Sequence, residues 1–237
     1  MEVFDCSKYF NKNKTDVFQS ISREDLQNLH MEDQEREGIF KPVTTDTRRP
    51  IRAALVGLNG YAGEDYHDFL AVPNPMVKAC LEHRPLVEKL PVVVEKYRLG
   101  VPVLTDAAFY YTNFVKVYPP ASKFKDAQSM DNLLKNCPHL TKLFCQYLTN
   151  EINDLVKDGC RVFICLGKDA AHYFSEALHS DVNIQCQTVG ALGKSNMVRR
   201  CIINSKDVFI VSERHYAYYA KATTDYLVNT LAEAYNK

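Results

Sequence analysis

Apolar residues recur along this chain in two rhythms. Short, nearly continuous runs occur in RAALVGL, VPVLTD, FYYTNFVKV, CRVFICLG, NIQCQTV and DVFIVSE, and each reads as a strand, several of them buried on both faces. Between them the spacing changes to that of a helix. From Cys137 to Lys157 the apolar positions Leu140, Leu143, Phe144, Leu148, Ile152 and Leu155 fall on one helical stripe. Ala171, Phe174 and Leu178 mark a second helix in KDAAHYFSEALHS, and a third closes the chain from about Tyr218 to Tyr235. The stretch from Pro73 to Tyr97 is expected to be helical in short or kinked pieces, because Pro75, Pro85 and Pro91 interrupt it.

Strands alternating with helices of crossover length imply an α/β fold: three layers, α/β/α, with a central, mainly parallel sheet of four to five strands. Residues 1–49 differ in texture. They are polar and charged, with one helical candidate around SREDLQNLHMEDQER, where Ser22 can cap and Asp25 stands at the third position after it. They are expected to form a partly helical N-terminal extension ahead of a single domain over 50–237.

Charge narrows the partners. Acidic and basic residues number 29 each, so no global field draws the chain onto a polyanion, and any such partner must be held by a local patch. No apolar run approaches the roughly 20 residues of a membrane span, and the first residues lack a signal-peptide pattern. A soluble, intracellular protein, cytoplasmic or nuclear, and no membrane partner are the expectation. The eight cysteines show no CxxC pair and no metal-ligand spacing, and several lie in apolar runs, so buried reduced thiols are expected, with no metal.

In a parallel sheet the ligand site lies past the carboxyl ends of the strands. The polar residues expected there are Asn59 and Tyr61 after RAALVGL, Asn113 and Lys116 within FYYTNFVKV, Lys168 after CRVFICLG, and Arg214 and His215 after DVFIVSE. The chain has no GxxxxGK[ST], GxGxxG, GxSxG or HExxH segment. Two carboxamides with a histidine suit a different chemistry, in which a planar base is read by its hydrogen-bonding edge and the anion that leaves is stabilised.

These residues resemble the uracil-DNA glycosylase superfamily. GLNGYAGED is similar to its first motif, YYTNFVKVYPP to the Asn-x-x-Lys segment of its bacterial and archaeal fourth branch, KNCPHL and VFICLG with KDAA to that branch's next region, and SERHYA to its histidine motif. The likeness runs over about 50–237. It implies that Asn59 positions the water attacking the sugar, that Gly57 and Leu58 help frame the base, and that Tyr61 packs against the base's C5 position. Phe69 would stack on the extruded base, Asn113 would read its amide edge, and His215 would donate to the developing oxyanion. The iron-sulfur cluster of that branch is not expected, since Val117 replaces one ligand and no N-terminal CxxC exists.

DNA is the implied partner, held by a monomer without a cofactor. Lys116, Lys168 and Arg214 are expected to touch it, in a patch extended by Lys123, Lys125, Arg199 and Arg200, and Tyr216 and Tyr218 to wedge into the opened duplex. GALGKSN would add backbone amides for phosphate. The expected activity is hydrolysis of the bond between an extruded uracil, or a related modified base, and deoxyribose. The alternatives are release of a different modified base, and a glycosylase-like fold that binds nucleic acid or protein without catalysis.

Overall fold

The computed structural model describes residues 4–5, 19–31, 43–44, 48–58, 89–117, 119, 124, 127–179, 184–215 and 218–236. In chain order the elements are β1 (Phe4–Asp5), α1 (Arg23–Asn28), β2 (Val43–Thr44), β3 (Ile51–Gly57), α2 (Leu90–Gly100), β4 (Ala108–Asn113), α3 (Ala127–Asn136) and α4 (Pro138–Lys157). There follow β5 (Val162–Leu166), α5 (Lys168–His179), β6 (Cys186–Ala191), β7 (Met197–Ile203), β8 (Lys206–Glu213) and α6 (Lys221–Tyr235).

The strands form one mixed sheet in the order β1-β2-β4-β3-β5-β8-β7-β6. Its centre, β4-β3-β5-β8, is parallel. On one side β7 and then β6 pair antiparallel, and on the other the two-residue segments β2 and β1 do the same. The expectation of a mainly parallel four- to five-stranded sheet is corrected here: six strands of five or more residues make a mixed sheet with helices on both faces. The parallel centre is the part written as continuous apolar runs. The flanking hairpin is half-solvated: β6 overlaps the run NIQCQTV, whereas the arginines of β7 hide that strand in the sequence.

Period-two alternation divides the core. Ala54, Val56, Tyr110, Phe163, Cys165 and Ile210 point to the face covered by α1, α3, α4 and α5. Ala53, Leu55, Phe109, Ile164 and Val211 point to the face covered by α2 and α6. Helix α4 buries Leu140, Phe144, Leu148, Ile152 and Leu155, the stripe its spacing predicts. Ser22 caps α1, its hydroxyl accepting from the Asp25 amide at 3.0 Å and donating to the Asp25 carboxylate at 2.7 Å. The described parts of residues 1–49 join the domain: Ile21, Leu29 and Met31 are buried in its core and β2 pairs with β4.

Three further expectations are altered. VPVLTD is a 3-10 turn over Pro102–Leu104, not a strand; its proline has no amide to give a ladder. Pro91 does not kink a helix but starts one, in the first turn of α2, where its missing N–H costs nothing. Cys186 and Cys201, facing each other across β6 and β7 with Cα atoms 4.2 Å apart, are joined as a disulfide, against the expectation of reduced thiols. Cys145, Cys160 and Cys165 are buried and free, burial pushing the latter two thiols to about 12, which leaves little nucleophilic thiolate. Among the described residues no helix is long and apolar enough to cross a membrane.

Candidate functional site

The four parallel strands point the same way, so their carboxyl ends form a row: Asn113 of β4, Gly57 of β3, Leu166 of β5 and Glu213 of β8. Neighbouring strands lie about 4.8 Å apart, which puts the outer ends roughly 14 Å from each other.

At one end of the row, Gly57 and Asn113 are register partners. A Cβ on Gly57 would collide with Asn113 Oδ1 and come within 3.1 Å of the Tyr111 hydroxyl, so only glycine lets the carboxamide lie across the end of β3. The pairing continues past the strands, Phe114 N donating to Gly57 O and Val115 N to Leu58 O, both at 2.9 Å. Asn113 is fully buried. Leu58 turns its side chain into the apolar core beside α4, so its backbone is what it presents to a neighbour.

At the other end, Gly167 takes φ +104, a left-handed conformation that favours glycine, and its amide donates to Glu213 O at 2.9 Å. The chain thereby turns at once into α5, with Lys168 as first residue. His215 packs beside Gly167, its Cβ 3.5 Å from where a Cβ on the glycine would stand. The two border an open depression of about 390 Å³, together with Lys168, Asn196, Glu213 and Arg214. His215, Arg214, Lys168 and Tyr218 are exposed, and the His215 and Tyr218 rings are 6.4 Å apart between centroids.

Glu213 is a site residue that the strand-end reasoning passed over. Its carboxylate is almost wholly buried, accepting from Tyr97 Oη and from Arg214 N, each at 2.9 Å. Burial holds its pKa above the ordinary carboxylate value, and burial together with the Glu213 charge raises the Tyr97 phenol well above its own. The available signal was its position, as the last residue of an apolar strand.

Lys116 requires correction. It is fully buried, with Nζ donating to Glu151 Oε2 at 2.6 Å and to Thr112 Oγ1 at 2.8 Å. Thr112 donates to the same carboxylate, as does Tyr110. Burial lowers the lysine's pKa while Glu151 opposes that shift. A lysine sealed in this way cannot reach a phosphate; it anchors the segment after Asn113 to α4.

Of the expected site residues, the structure thus brings Gly57 beside Asn113 and gathers Lys168, Arg214, His215 and Tyr218 at the far end of the same row. Asn59, Tyr61, Phe69 and Tyr216 lie outside the described residues, as do Lys123 and Lys125. Among the described residues no three histidine, cysteine, aspartate or glutamate side chains cluster as metal ligands would. Compared with known proteins, the chain matches no family model, and no curated protein is similar to it in sequence.

Proposed function

We propose that this protein is a DNA glycosylase of the uracil-DNA glycosylase kind, which extrudes uracil or a related modified base and hydrolyses its bond to deoxyribose. The observation that carries the reading is the row of strand ends. An amide that can pair with a base edge, Asn113, stands at one end, and an exposed imidazole, His215, stands at the other with Lys168 and Arg214 beside it. In this reading Asn113 offers one donor and one acceptor to the complementary edge of the base. His215 donates to the oxygen that gains charge as the glycosidic bond breaks, and a neutral ring is enough for this. Asn59 orients the attacking water. Deoxyribose passes through an oxocarbenium-like state, and the base leaves as an anion with no cofactor taking part.

The test is release of free base from uracil-containing single- and double-stranded DNA, extended to deaminated, hydroxymethylated and alkylated bases. Asn113→Ala and His215→Ala are each expected to lower the release rate by about 10²–10³, the loss typical of one preorganised donor. Full activity in both variants sinks the proposal.

The second reading is a fold of this kind that binds nucleic acid without cleaving it; the burial of Lys116 removes one expected strand contact from both readings alike. DNA retention with no release of any base from that panel selects this alternative.

A further inference from the structure

We propose that the tip of the β6–β7 hairpin and the start of α5 form a trough for the phosphodiester backbone of the strand that carries the extruded base. This rests on the glycosylase reading and adds a surface to it. A second depression, of about 220 Å³, adjoins the first, and Lys168 and Ser195 line both. The two make one channel leading from His215 past the hairpin tip to Arg199.

The channel is cationic in a chain whose acidic and basic residues balance as a whole. Lys168, Lys194, Arg199 and Arg214 line it against one carboxylate, Glu213, whose oxygens already accept from Tyr97 and the Arg214 amide. The tip is built to hold its place: Leu192 N donates to Asn196 O at 2.7 Å, closing the turn between the strands. Arg199 is aimed by Ser175, to which Nη2 donates at 2.7 Å, and its buried Nε finds no acceptor among the described residues. A guanidinium fixed at one nitrogen with another donor to spare fits an anionic oxygen.

The spread of the charges selects the ligand. A free phosphate gathers its cations around one point, whereas these are distributed along two adjoining hollows, as repeated phosphates on a strand require. The hydroxyl of Ser195, which borders both hollows, adds a polar contact of the kind that positions a backbone without reading sequence.

The experiment measures binding of a short single-stranded oligonucleotide of ordinary bases across a salt series, for the wild type and for Lys168→Ala/Lys194→Ala. Both side chains are exposed, so folding is preserved, and an unchanged thermal midpoint verifies this. The variant is expected to bind on the order of tenfold more weakly at low salt. Its log-log salt dependence should be shallower by roughly 1.4, about 0.7 for each phosphate that is no longer neutralised. Equal affinity and slope in both proteins overturn the proposal, as does inorganic phosphate that saturates the wild type without displacing the oligonucleotide. The two readings separate cleanly. Strand binding lost in the variant, with no base released by the wild type, keeps the trough and discards the glycosylase; base release that the variant leaves unaltered at every salt does the reverse.

Discussion

Two clusters of cation, carboxylate and hydroxyl stand at opposite ends of one row of strands. At the β4 end, Lys116, Glu151, Thr112 and Tyr110 are closed off completely and satisfy one another. At the β8 end, Glu213 and Tyr97 are buried in the same manner, but Arg214, His215 and Lys168 open from them to solvent. The same side-chain types therefore do two kinds of work. A sealed pair fixes a strand end relative to a helix, because breaking it strands a charge in the interior; the half-open set leaves its outer cations exposed, where the proposed ligand would meet them.

The sharpest way to break this contrast is at Glu151. Glu151→Ala leaves the Lys116 ammonium buried without its partner and is expected to cost about 3–5 kcal/mol. For a domain of this size that corresponds to a fall of roughly 10 °C in thermal midpoint. The double replacement Lys116→Met/Glu151→Leu should recover most of the loss, since two apolar groups leave no charge behind. If Glu151→Ala melts like the wild type, the cluster is not sealed.

Next in size is the disulfide. Cys186 and Cys201 enclose a separation of 15 residues, and opening such a loop costs about 2–3 kcal/mol in the chain-entropy account. The comparison makes this loss local. Under a dithiol reductant, amide exchange should quicken in β6 and β7, beside Lys194 and Arg199, and stay slow around Asn113. Faster exchange at both ends would mean that the two are mechanically one.

The smallest effect is a pH dependence. Because burial raises the Glu213 pKa, the folded chain binds that proton at higher pH than the unfolded chain does. Its contribution to stability is fully present below the unfolded value, about 4.3, and is lost as pH rises through the folded value. The difference in thermal midpoint between wild type and Glu213→Gln should therefore shift in favour of Gln as pH rises through that window. A flat difference would place the carboxylate in water, like the groups around it.

What could be read from the chain follows the same division between local and distant causes. β3, β5 and β8 announce themselves because burial on both faces leaves each an unbroken apolar run, and α4 because its stripe repeats at 3.6 residues. The cap of α1 was legible since Ser22 and Asp25 are three positions apart. β7 was not: its arginines, Arg199 and Arg200, look like a surface patch until pairing with β8 places Arg199 opposite Ile210 and Arg200 opposite Phe209. The disulfide partners meet only across that hairpin. Lys116 stands in an FVKV run that reads equally well as exposed or sealed, and what decides is Glu151, 35 residues on. At the site, Gly57 and Asn113 could be expected at neighbouring strand ends, but their direct opposition is a property of parallel register.

The hairpin has a last consequence. Among the described residues β6 is the outermost strand on its side and largely exposed, the position at which a sheet can accept a further strand. The register slips between Thr188 and Gly190, which bends that edge away from straight, and Tyr226 Oη donates to Ala191 O at 3.1 Å, tying down its end. An edge bent and tied in this way is a poorer template for a second strand than a straight one.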